Sequence, residues 1–239
     1  MIGRNISNLI FIKWFIGVIF FLIFIFILNH LGFLYPLINN DASYITSLIL
    51  LIFIYFSINV GIELYHLRER YLNISNLLSV SKNKSKKEIN LILQQFLNSN
   101  HSDDQSIYTY ITAKENNGSS KENFEYSLTS KLNIGWLVAD GLLKLGLIGT
   151  VIGFIIMLSA ITEIDGFDFT MMKDMLQNMS KGMEVALYTT LSGLVSSVLL
   201  SMQYSYLEHY IYKIFYMSNL CLSNFLPEPK NIKNDDEEI

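Results

Sequence analysis

LGLIGTVIGF, residues 145–154, is apolar enough to lie in lipid, yet it holds three glycines and a threonine where a plain anchor would hold leucine. Residues three, four and seven apart share one face of an α-helix. Gly146, Gly149, Thr150 and Gly153 therefore form a narrow face of small side chains. A second stretch repeats the design: Ala186, Thr189, Thr190, Gly193, Ser196 and Ser197 make a small face, and Leu187, Leu191, Leu194, Val198 and Met202 the opposite one. The large residues suit lipid, whereas the small ones suit another helix or a cavity.

Around these stretches the chain is 51% hydrophobic and only 16% charged, with a mean hydropathy of +0.35 over 239 residues. A helix needs about 20 apolar residues to cross a bilayer. Four segments qualify: about Leu9–Leu28, Ile45–Ile62, Leu145–Ile161 and Val185–Met202. The first reads as an uncleaved span, because it outruns the apolar core of a signal peptide and no small-residue cleavage site follows. Lys13, near its start, can snorkel to the headgroups.

Lys and Arg set the orientation. The connection 29–44 has neither, whereas 63–134 has nine, among them Arg68, Arg70, Lys82, Lys84, Lys121 and Lys131. The positive-inside rule puts the long connection in the cytoplasm, with both termini on the same side. The connection 162–184 then faces outward despite Lys173 and Lys181. A net charge of −4 gives no reason to expect nucleic-acid binding. Cys221 is the only cysteine and reads as a packing residue or a bystander.

The second span is expected to run on as a helix, since Leu64, Leu67, Tyr71, Ile74 and Leu78 keep helical spacing. SKNKSKK (81–87) reads as a solvated turn, and Ile89, Leu93, Phe96 and Leu97 mark an amphipathic helix over 87–99. Residues 98–120 are polar and read as a loop. Ser119 and Glu122 have capping-box spacing, which would start a helix running through Trp136 into the third span. Beyond the fourth span, helical spacing continues through a tyrosine-rich stretch.

The expected fold is an all-α membrane protein, with four transmembrane helices and helical cytoplasmic extensions. It divides into an N-terminal transmembrane hairpin (1–62), a cytoplasmic insert (63–134), a second transmembrane hairpin (135–205), a cytoplasmic extension (206–226) and an acidic tail (227–239) expected to be disordered.

The chemistry is decided by a deficit. No Asp, Glu or His lies at the centre of any span; Asp140 and Glu184 lie at span ends. His30, His66, His101 and His209 are also outside the centres, and no nucleophile–base pair lies within them, which speaks against an intramembrane enzyme. A proton relay needs a titratable group, and threonine is not one. If ions cross here, the carrier carboxylate must come from another chain. The plainer reading of each threonine is a hydroxyl bonded back to the carbonyl one turn earlier.

LGLIGTVIGFIIML followed after about thirty residues by GMEVALYTTLSGLVSS resembles the MotA/TolQ/ExbB proton-channel family, whose members share a GLLGTVxG helix and a GIxxALxTTxxGL helix. The likeness covers about residues 139–205. Four spans and a cytoplasmic insert match the MotA branch; TolQ and ExbB members have three spans. The resemblance implies a bacterial inner-membrane channel and motor subunit. It also implies a homopentamer around two copies of a single-span MotB/TolR/ExbD-like partner, whose membrane aspartate carries H+ or Na+; no cofactor is implied. Thr150 matches the threonine of the first motif and Thr190 that of the second, both lining the ion path in the family. Thr189 is an extra hydroxyl about 100° away.

Gly146, Gly149, Gly153, Ala186, Gly193 and Ser197 are the expected helix-packing or partner-facing residues. Many TolQ and ExbB members have a glutamate directly before the Ala-Leu pair; here that place is Val185, and Glu184 precedes it. Glu184 is read either as an ion-uptake residue or as a helix N-terminal charge. Asp140 and Lys144 are expected to pair at the membrane edge, and Glu163, Asp165 and Asp168 to be solvated loop charges. The rival to an ion-driven transducer is a passive membrane scaffold whose small faces serve assembly alone.

Overall fold

The computed structural model describes residues 44–83, 91–94, 96, 102–112, 118–162 and 169–225, with 12, 14–19, 23, 26 and 30 from the first apolar run. Its helices are α1 (Ile45–Asn83), α2 (Ser102–Thr112), α3 (Gly118–Thr162) and α4 (Phe169–Phe225). Among the described residues, three segments are long and apolar enough to cross a membrane: Ile45–Val80, Lys121–Ser159 and Met172–Asn224. The expected span Leu9–Leu28 lies largely outside the described residues. So do most of the connection 29–44, residues 84–87 of the expected turn at 81–87, Glu163, Asp165, Asp168 and the tail 227–239; residues 81–83 of that turn belong to α1 instead.

The long helices overrun the membrane. At 1.5 Å per residue, the 45 residues of α3 extend about 68 Å and the 57 of α4 about 86 Å, against a hydrocarbon core of about 30 Å. Nothing in the sequence stops them, because no proline lies between Pro36 and Pro227. α4 ends two residues before Pro227. The run from Ile62 to Ser79 is part of α1, and α3 begins at Gly118, one residue before Ser119, and passes through Trp136 without a break.

α3 and α4 form an antiparallel hairpin, and α1 lies along α4. Away from the glycine-rich half, large apolar side chains close the core. Leu64, Leu67, Tyr71 and Ile74 of α1 are buried there as their spacing predicts, against Phe124 and Leu132 of α3 and Leu207 and Ile214 of α4. Phe96 and the free thiol of Cys221 are buried in the same core, with Leu93 partly so. Lys131 is ion-paired with Glu63, tying α3 to α1, and the Lys213 ammonium lies 5.2 Å from the centre of the Tyr71 ring.

Two expectations are overturned. The stretch 98–120 is not all loop, because Ser102–Thr112 is helix α2. Its Ile107, Tyr110 and Ile111 are buried against α3 and α4, and Asp104 meets the buried Arg70 at 2.8 Å. Three apolar residues at helical spacing, together with one ion pair, outweigh a polar composition once a core is there to receive them. Nor is 162–184 all connection, since α4 starts at Phe169. Glu184 consequently lies fifteen residues inside the helix, which removes its reading as an N-terminal charge, because the dipole effect fades within the first turn.

Candidate functional site

The two small faces meet each other. A Cβ built on Gly146 would lie 3.1 Å from the Gly193 Cα and 3.1 Å from the Thr189 carbonyl oxygen. One built on Gly193 would lie 2.8 Å from the Gly146 Cα and 2.9 Å from the Leu142 carbonyl oxygen. One on Gly153 would meet the Ala186 nitrogen at 2.6 Å. Only glycine permits backbones to approach so closely, and in lipid such contact supplies the van der Waals attraction that holds helices together.

Large residues take the opposite side, as expected. Leu187, Leu191, Leu194, Val198 and Met202 of α4 are exposed, as are Leu147, Ile148, Val151 and Phe154 of α3. Ala186, Ser196 and Ser197 are buried.

The three threonines have different surroundings. Thr189 is fully buried, its side chain filling the space that a Cβ on Gly149 would need. Its hydroxyl donates to the Val185 carbonyl at 2.9 Å. Thr190, the next residue, is half-buried and donates to the Ala186 carbonyl at 2.9 Å. Thr150 is half-buried too and donates to the Leu147 carbonyl at 2.6 Å. The Thr190 Cα lies 3.5 Å from where a Gly146 Cβ would stand, and Thr150 is one turn along α3 from Gly146. Both half-open hydroxyls thus flank the Gly146–Gly193 contact.

This arrangement has a chemical consequence. A hydroxyl whose proton is committed to its own helix still presents lone pairs. It can accept a hydrogen bond from a protonated carboxyl or help coordinate a small cation, but it cannot carry a proton away. Glu184 is half-buried and sits six residues from Thr190, about 120° round the helix. It shares its face with Tyr188 and Leu191. Asp140 and Lys144 pair at 2.6 Å on the exposed side of α3. Among the described residues, no group of three His, Cys, Asp or Glu side chains is placed to hold a metal ion.

Two contributors were not picked out from the sequence. A Cβ on Gly182 would meet the Met157 nitrogen at 2.6 Å and the Gly153 carbonyl oxygen at 2.8 Å. Gly135 lies under the Tyr204 ring. Gly182 is four residues before Ala186, so helical spacing alone would have extended the small face to it. Gly135 had no such signal, because its partner is an aromatic ring on a different helix.

A family model described as the MotA/TolQ/ExbB proton channel family matches residues 76–218, from the last turns of α1 almost to the end of α4. No curated protein and no solved structure matches the chain.

Proposed function

The chain belongs to the MotA/TolQ/ExbB proton channel family, and from that premise we propose that it is the channel subunit of an ion-driven transducer in a bacterial inner membrane. Five copies surround two single-span partners, each bringing a membrane aspartate. Thr150 and Thr190 form the site at which that aspartate docks, with Thr189 behind them holding the hairpin together. Glu184 gathers cations on the outer side. The ion is a proton in the first instance, with Na+ the alternative.

The observation that carries this reading is the pair of half-open hydroxyls at Thr150 and Thr190, their protons bound to their own helices, in spans whose centres hold no acid. Such a site favours a neutral, protonated partner carboxyl, which donates to the waiting lone pairs. A carboxylate has no proton to offer them. Protonation therefore changes the aspartate's hold on one site, and release lets it move to the next. One charge crossing 100 mV supplies about 2.3 kcal/mol for that exchange. Two aspartates among five equivalent sites cannot both be docked alike, so the steps alternate and the partner turns relative to the ring.

The test is a Thr150→Val/Thr190→Val double variant, which keeps shape and deletes both hydroxyls. Co-expressed with the single-span partner and reconstituted in liposomes, it should assemble normally and lose most gradient-driven flux. Unchanged flux would remove the proposed path. The scaffold reading predicts no flux from either protein. The chain reconstituted alone should be electrically silent.

A further inference from the structure

Where α1, α4 and the first apolar run meet there is a cavity of about 250 Å³. Trp14, Gly17 and Val18 of the first run, Phe53 and Ser57 of α1, and Gln203 of α4 are among the residues that line it. It lies apart from the contact of α3 with α4 and does not depend on the function proposed above.

Three observations bear on what this cavity can hold. Gly17 is exposed, and no described atom stands within 4 Å of a Cβ built on it, so the cavity is open on the side of the first run. The Gln203 side-chain oxygen is buried and has no hydrogen-bond partner among the described residues. An amide left so in apolar surroundings carries a desolvation cost with nothing to offset it. The third observation is depth. Ser57 lies six residues before Glu63, whose pairing with Lys131 marks the first charges met along α1. Gln203 adjoins Tyr204, whose ring lies over Gly135, next to Trp136. Tyrosine and tryptophan are the residues of the lipid–water boundary. The cavity therefore sits at the edge of the hydrocarbon, apolar over most of its wall, with Ser57, Gln203 and Tyr206 as its polar side chains.

We infer that this cavity is a binding site for one phospholipid. An acyl chain lies against Val18 and Phe53, and a donor in the headgroup hydrogen-bonds to Gln203. Lipid is the abundant solute at that depth that is apolar along its length and polar at one end. Water would satisfy the amide but would not fill the apolar remainder, since apolar cavities stay dry. The acceptor on Gln203 requires a donor. The ammonium of phosphatidylethanolamine supplies one, and the quaternary ammonium of phosphatidylcholine does not.

The test is native mass spectrometry of the full chain extracted in mild detergent, with stepwise delipidation. The wild type should keep one phospholipid per chain after the rest are stripped. Gly17→Leu places a branched side chain at the open side of the cavity, which Gly17 lines, and should abolish that retention. Gly141→Leu also starts from a position with open space around its Cβ, but away from the cavity, and should retain lipid like the wild type. Refilling the wild type should favour phosphatidylethanolamine over phosphatidylcholine about tenfold, equivalent to about 1.4 kcal/mol, and Gln203→Leu should erase that preference. A wild type that keeps no lipid, or a Gly17→Leu variant that keeps as much as the wild type, overturns the site. Equal refilling by the two lipids in the wild type overturns the role given to Gln203.

Discussion

In one half of the α3–α4 hairpin glycine meets glycine; in the other, phenylalanine meets phenylalanine. Around Gly146 and Gly193 the backbones themselves touch. Twenty-two residues away along each of the two helices, the Phe124 ring stacks 5.5 Å from Phe215 and 4.5 Å from Tyr110 of α2. The two kinds of contact suit different solvents. Lipid tails are as apolar as leucine, so burying a large side chain inside a membrane gains little, and helices are held by close contact between small residues. In water the gain follows the apolar area removed, roughly 25 cal/mol per Å², and large rings serve best. A pair of helices longer than the hydrocarbon core has use for both means of attachment. The glycine half also leaves two threonine hydroxyls half-open beside the closely approaching backbones.

The comparison breaks most severely at Gly193. Gly193→Leu would force a side chain against the Gly146 Cα and the Leu142 carbonyl, backbone atoms that cannot step aside. The cost should exceed the roughly 1–3 kcal/mol usual for overpacking, and the variant should fail to give a folded species in detergent by thermal melting. Next comes Phe124→Ala in the aromatic half, expected to cost about 4 kcal/mol. Hydrogen exchange should then quicken over 102–112 and in the last turns of α4, while amides near Gly146 stay protected. Equal loosening in both halves would show that the hairpin does not divide as described.

A smaller effect is expected from Asp104→Ala. It takes from Arg70, only 5% exposed, the carboxylate 2.8 Å away, at a cost of about 3 kcal/mol. Chemical denaturation should show the loss, and Arg70→Met with Asp104→Leu should recover much of it, since replacing a buried pair by apolar residues is often neutral. The smallest effect is one of pH. Burial pushes the Tyr110 hydroxyl above its ordinary value of 10.0, and that hydroxyl is bonded to the Asn219 side chain. A pKa raised in the folded state means that the unfolded chain ionises first. The contribution is complete below about pH 10 and fades as pH climbs through the folded value. The α2 contact should weaken over that alkaline range, and Tyr110→Phe should flatten the dependence at a cost of about 1 kcal/mol at neutral pH.

Much of this molecule was legible before any coordinates. Hydropathy marked the apolar segments, and spacing assigned Leu187, Leu191 and Leu194 to the outside and Ala186, Gly193 and Ser197 to the inside. The paired motifs around Thr150 and Thr190 identified the family. α2 was not legible, because its buried face amounts to Ile107, Tyr110 and Ile111 in a polar stretch and has meaning only against a core that other helices build. The start of α4 was missed for a related reason. Hydropathy locates a span but not the ends of a helix that continues beyond it.

The sequence by itself determined which side chains share a face, because the 3.6-residue period is a local property of the backbone. Tertiary structure alone decided what each face meets. It put Gly182 against Gly153, and it sealed Thr189 under Gly149 while leaving Thr190, one residue on, half-open. How one helix is rotated against another follows from backbone contact between segments far apart in the chain, and no local period carries that information.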